Sequence, residues 1–295
     1  QVEYRISCRS YKKVFLMKLI AEASQIIKPI SVTDGAGVKI KRSIGLNPDY
    51  FDPFLMLDEF GSENKDDYIA GFPPHPHRGI ETVTYMLAGD FEHKDSLGST
   101  GRMCAGDVQW MKTGSGVIHS EMPLMKEGKL HGFQLWINMH SYLKMAKPEY
   151  LHLDSKEINH YADPEKSVKV IAGRFEDING AISNHNVEPV YFDISLTKGN
   201  KFCFLLSPEK NSFVYLYEGE IKVGHKDNER LKGSTLIILS KGETLQVEAV
   251  ENAKFLLISG RPINEEIVRG GPFVMNTREE ILEAIQDYQN GTFIK

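Results

Sequence analysis

Cysteine is scarce and unpaired in this sequence. The 295 residues hold three, Cys8, Cys104 and Cys203, an odd number with no C-x-x-C spacing. That argues against a disulfide framework and fits a reducing compartment. None of the three falls beside a His-x-His pair, and a buried apolar thiol is the expected identity of Cys104. Long apolar runs are missing too. The stretch Val14-Phe-Leu-Met-Lys-Leu-Ile-Ala21 is short and broken by Lys18. It reads neither as a secretory signal nor as a membrane span, so a cytoplasmic protein without a membrane partner is expected. Excess positive charge is absent as well: 35 Lys and Arg stand against 40 Asp and Glu, a net charge of −5. A direct nucleic-acid binder would show a basic surface, so none is expected here. The chain does not open with Met; Met17 is a candidate start, with residues 1–16 an upstream extension.

What is present is the grammar of short strands. Hydrophobic residues make up 41% and charged residues 25% of a chain long enough for two domains. Val38 and Ile40 alternate with Lys39 and Lys41 after a Gly-Ala-Gly turn, which predicts a half-buried hairpin whose basic face is solvated. Thr82-Val-Thr-Tyr-Met-Leu-Ala runs into a turn at Gly89, and Gly106-Asp opens Val-Gln-Trp-Met. Turns every ten residues or so indicate an all-β sandwich or barrel. The second half repeats this pattern. Phe213-Val-Tyr-Leu-Tyr-Glu-Gly219 parallels the first of these strands, and Gly233-Ser-Thr-Leu-Ile-Ile-Leu the second. A duplicated barrel follows. One helix is predicted near the end, capped by Thr277 and Glu280, with Ile281, Ile285 and Tyr288 on one face and Asn290-Gly291 as its stop.

Chemistry concentrates between His75 and Glu121. His75-Pro-His77 and His119-Ser-Glu121 are pairs of metal-ligand types two residues apart, each in a frame of glycines and prolines. In a strand such pairs project from one face. If the two segments face each other across a barrel, three imidazoles and a carboxylate meet, a donor set for a divalent transition metal. The repeat fails at these positions. Counting from equivalent glycines, His77 falls opposite Ser207, His119 opposite Gln246, and Glu121 opposite Glu248. The second barrel is therefore expected to lack ligands and to be filled with side chains. His93 and His131 are read as structural, and Arg78 as a surface ion pair.

The residues His75-Pro-His77-Arg-Gly-Ile-Glu-Thr-Val-Thr-Tyr, Gly106-Asp-Val-Gln-Trp-Met, His119-Ser-Glu-Met-Pro and His131-Gly-Phe-Gln-Leu-Trp-Ile-Asn resemble the pirin family of the cupin superfamily. The tail, with Gly271-Pro-Phe-Val-Met-Asn-Thr, resembles it too. The resemblance implies two tandem cupin (jelly-roll-like) barrels with a short C-terminal helix. The expected division is an extension over 1–29, a metal-binding barrel over 30–147, a ligand-free barrel over 148–275, and a helix and tail over 276–295. It implies one metal at His75, His77, His119 and Glu121, most commonly Fe(II), with Mn, Co, Ni, Cu and Zn as alternatives. Glu121 would double as general base. Glu81, the acidic position of the general cupin motif, would sit behind the ligands, with Phe72, Met122 and Phe133 as pocket walls. Pirins resemble quercetin 2,3-dioxygenases, so the expected activity is O₂-dependent opening of a small aromatic flavonol. The alternative is an iron redox sensor that binds a transcription factor or a metabolic enzyme as its protein partner; another small-molecule cupin reaction is a third reading.

Overall fold

The computed structural model describes residues 19–45, 51–182, 185–225 and 229–295. Cys8, Met17 and residues 1–16 lie outside them. Strands dominate, and the 12-residue Arg278–Gln289 is the α-helix of the described residues. The architecture is all-β and holds two barrels, as the strand spacing and the internal repeat predict.

The first barrel combines two sheets. The larger, of seven strands, runs Glu149–Leu153, Val108–Lys112, Ile80–Ala88, Leu130–Asn138, Phe54–Ser62, Val38–Ile44, Ile30–Asp34. The smaller runs Phe72–His77, Val117–Pro123, Phe91–Asp95, Thr100–Met103. Ile30–Asp34 and Val38–Ile44 form the predicted hairpin, with Val38 and Ile40 buried and Lys39 and Lys41 exposed. Its turn rests on Gly35 and Gly37, at φ +57° and +127°, backbone that side chains rarely tolerate.

The second barrel repeats the larger sheet strand for strand: Ala23–Ile27, Thr235–Leu239, Asn211–Glu218, Ala253–Gly260, Val190–Leu196, Lys166–Ala172, His160–Ala162. Its interior is a continuous apolar core that includes Phe175, Phe192, Phe202 and Phe255. Phe175 and Phe202 stack at 5.7 Å.

The division expected over 1–29, 30–147, 148–275 and 276–295 needs correction. Residues 19–28 group with Asn159–Arg261, and Pro262–Lys295 group with Pro29–Ile158. The reason is edge protection: an open sheet edge presents unpaired backbone groups that a neighbouring segment covers. Ala23–Ile27 pairs antiparallel with Thr235–Leu239, and Ile20–Ala21 pairs parallel with Thr244–Ala249. Glu149–Leu153 closes the equivalent edge of the first barrel. The C-terminal segment also belongs there. Its hairpin Val268–Gly270 and Phe273–Met275 packs with the helix through Phe273, Met275, Ile281, Ala284 and Phe293, and Ile118 of the barrel joins them. The helix carries the predicted capping box of Thr277 and Glu280.

Candidate metal centre

The smaller sheet of the first barrel sets out the site by register. His119 lies opposite His75 on one side and Asp95 on the other. Glu121 lies opposite Phe72 and His93, with a register shift between His119 and Glu121 on the Phe72 side. Directly paired residues share a face, so these side chains converge. The ring centroids of His75 and His119 are 4.4 Å apart, those of His75 and His77 4.8 Å, and those of His77 and His119 5.1 Å. Donor atoms of His75, His77 and His119 all lie within 4.8 Å of one another. Glu121 belongs to a second such trio, with His119 and His93.

The donor set fits a cation. His75 Nδ1 lies 2.8 Å from the Pro73 carbonyl and His77 Nδ1 3.2 Å from the Pro272 carbonyl. A carbonyl only accepts, so in the neutral ring each Nδ1 carries the hydrogen and each Nε2 keeps a free lone pair. Neither ring nitrogen of His119 has a hydrogen-bond partner, although the side chain is buried. Burial, then the neighbouring His75, pushes His77 down to about 3. Burial and the adjacent imidazoles hold His119 well below the usual histidine range. Neutral imidazole is the form that ligates.

A cavity of about 580 Å³ opens onto His75, His77 and Glu121. The larger sheet supplies its wall by alternation. Gln134 pairs with Asp58 and Thr84, and Trp136 with Met56, so these side chains share the inner face with Phe60. The Thr84 hydroxyl donates to Glu121 Oε1 at 3.0 Å and lies 2.6 Å from Gln134 Oε1. Arg269, from the C-terminal hairpin, lies over the Trp136 ring at 4.9 Å. On the same face Arg42, paired with Asp58 across the strands, forks onto its carboxylate at 2.9 and 2.8 Å.

Of the four residues expected at the pocket or behind its ligands, Phe72 lines the cavity. Phe133 does not: it is one residue out of phase with Gln134 and stacks on Tyr85 at 6.4 Å. Glu81 also faces away, accepting the Trp110 indole N–H at 2.6 Å. Met122 is out of phase with Glu121 and does not line the cavity. Arg78 is no surface pair but 1% exposed. Cys104 is exposed, not buried. His131 is held by Glu59 at 2.8 Å, consistent with a structural role. His93 is the miss. Its signal was present, since His93-Lys-Asp95 has the same two-residue spacing as the ligand pairs, and His93 Nε2 meets Asp95 Oδ2 at 3.1 Å. In the second barrel Glu248 pairs with Lys201 at 3.1 Å, and among the described residues both donor clusters lie in the first barrel.

Comparison with known proteins agrees with this architecture. The Pirin family profile matches residues 37–137, and that of the Pirin C-terminal cupin domain matches 191–294. A pirin-like protein of Caulobacter vibrioides is 43% identical over 272 residues, covering 91% of this chain and 98% of its own. Pirin of Homo sapiens is 39% identical over 287 residues, covering 95% and 93%. The crystal structure of quercetin 2,3-dioxygenase from Acinetobacter baumannii superposes with a TM-score of 0.85 at 34% identity, over 94% of this chain and 100% of that one. Two barrels of this strand order, the His75/His77/His119 cluster and these full-length likenesses place the chain in the pirin family.

Proposed function

We propose that this chain is a metal-dependent dioxygenase of flavonols such as quercetin, with Fe(II) held by His75, His77, His119 and Glu121. The observation that carries the reading is the meeting of the buried His77 and His119 imidazoles with the half-buried His75 beside a partly open cavity lined by aromatic side chains. Its volume of about 580 Å³ falls within the roughly 300–1,000 Å³ of small-molecule sites. The metal would supply Lewis acidity and one-electron chemistry toward O₂. The protein does the rest. Phe60, Phe72 and Trp136 offer faces and edges to a planar ring system. Arg269 provides a cation at the same wall for a substrate that has lost a hydroxyl proton. Glu121, polarised by Thr84, faces the cavity and can accept that proton. The likeness to the Acinetobacter baumannii enzyme supports the choice of substrate class.

The test is anaerobic loading with Fe(II), addition of quercetin and then air, with flavonol absorbance and carbon monoxide followed together. Turnover well above free iron, abolished in His119→Ala, is expected. A loaded protein no faster than free iron would sink the assignment.

A further inference from the structure

Three buried nitrogens without a hydrogen-bond partner lie together: His93 Nδ1 and both ring nitrogens of His119. Their rings are 5.3 Å apart, and donor atoms of His93, His119 and Glu121 lie within 4.8 Å of one another. Buried polar groups without partners are rare and call for an explanation.

His93 is rigidly held. Its ring is fully buried, stacks on Tyr150 at 4.8 Å, and meets Asp95 Oδ2 through Nε2 at 3.1 Å. A carboxylate accepts, so Nε2 carries the hydrogen and Nδ1 of the neutral ring presents a lone pair. Asp95 is fixed in turn, because its Oδ1 takes the backbone N–H groups of Leu97 and Ser99 at 2.8 and 2.9 Å. His119 can give one nitrogen to a cation. The other then carries a hydrogen and needs an acceptor. His75 and His77 cannot serve, since their Nδ1 atoms face carbonyls and their Nε2 atoms are the donors left for the metal. Glu121 is engaged by Thr84 and is itself a ligand candidate. His93 Nδ1 remains. The two rings do not make an N–H···N bond in this structure, but they are adjacent, and a small turn of His119 as one of its nitrogens takes a cation would bring the other onto His93 Nδ1 and satisfy all three orphans at once.

We propose that His93 is a positioning residue: the Asp95–His93 pair accepts the N–H of metal-bound His119, fixing its tautomer and ring orientation, and does not itself ligate. Such partners make the ligand more basic and tighten the site. The inference rests on the metal reading of this centre.

The test uses the full chain and Co(II), titrated against a chelator, with visible ligand-field spectra recorded throughout. His93→Leu should lose affinity by about 10- to 100-fold, with a shifted spectrum. His93→Gln keeps an acceptor oxygen and should recover much of the loss. Asp95→Asn is the sharpest variant. Its amide would donate to His93 Nε2, driving the ring hydrogen to Nδ1 and turning the acceptor into a donor, so affinity should fall although size and shape hardly change. Equal thermal melts of the metal-free Asp95→Asn and wild-type chains show that the fold is intact, should His93→Leu misfold. Wild-type binding with unchanged affinity and spectrum in Asp95→Asn overturns the proposal. So does X-ray absorption showing one fewer coordinated imidazole in His93→Leu, which would make His93 a ligand. A wild-type chain that takes up no Co(II) overturns the metal reading, and this inference with it.

Discussion

Arg78, the residue after the candidate ligand His77, reaches the terminal helix: its Nη1 meets Asp287 Oδ2 at 2.9 Å. Its Nε donates to the Ser115 carbonyl at 2.7 Å, and its guanidinium lies 4.5 Å over the Phe293 ring. One side chain thus joins the ligand strand, the turn before His119 and the C-terminal tail. Removing one partner of a buried ionic contact costs about 3–5 kcal/mol, and less where the other partner is reached by water, as Asp287 is. Arg78→Met should therefore destabilise the first barrel by about 2–3 kcal/mol. Limited proteolysis should cut the tail of the variant first. A tail as resistant as wild type would show that the apolar contacts of Phe293 suffice.

Gly79 makes a neighbouring prediction. Its φ is +79°, and a Cβ there would lie 2.1 Å from the Val274 carbonyl oxygen. That carbonyl and Gly79's own accept from the buried ammonium of Lys144, at 2.9 and 2.8 Å. Gly79→Ala combines a left-handed backbone with a clash against backbone, on the order of 3 kcal/mol. Its thermal midpoint should fall clearly below that of Gly98→Ala, a positive-φ glycine with nothing within 4 Å. Equal midpoints would refute the close approach.

How much of this was legible beforehand follows from the period of a strand. Alternation made His75 with His77, and His119 with Glu121, readable as same-face pairs, and the failed repeat marked Ser207 and Gln246 as replacements. Phe133 reads as a pocket wall from its place near the ligand motifs, without a register, whereas Gln134 and Trp136 hold that face. Arg269 and Pro272 were invisible. They reach the first barrel from beyond the second in sequence, and no local pattern signals such a return. The His93–Asp95 pair was readable in principle, but its carboxylate is a partner of the ring and not a second ligand, so a search for ligand pairs passed over it.

Arg269 is the pocket residue whose role separates most cleanly from folding. It is the one Lys or Arg among the described residues that line the cavity, and it lies against Trp136. Arg269→Met keeps the packing over the ring and removes the charge. If the substrate binds as an anion, KM should rise about tenfold, equivalent to about 1.4 kcal/mol, with kcat nearly unchanged. A fall in kcat at constant KM would assign Arg269 to the chemical step instead.

Metal removal gives a measurement independent of turnover. A ligand bound by the folded state alone adds about 2.7 kcal/mol at 100 times its Kd. Thermal unfolding of the first barrel should therefore move up with added Co(II) and return with a chelator. His119→Ala should show neither shift. A chelator-sensitive melt in that variant would place the metal elsewhere.

The same imidazoles set a pH dependence for the metal-free chain. Burial holds His77 at about 3 and His119 well below the usual range, whereas in the unfolded chain both titrate near 6.5. Above about pH 6.5 neither state is protonated and stability is full. As pH falls below that value the unfolded chain takes up protons that the folded chain refuses, so stability drops until the folded rings titrate, about pH 3 for His77. The slope is on the order of 1 kcal/mol per pH unit for each imidazole. Trp110 and Trp136, the two tryptophans of the sequence, both belong to the first barrel, so their fluorescence reports its unfolding alone. Urea midpoints read this way should fall from pH 7.5 to pH 5, and His77→Gln should flatten the slope by one imidazole's share. A midpoint that is level across this range would mean that His77 and His119 are open to water, contrary to their burial.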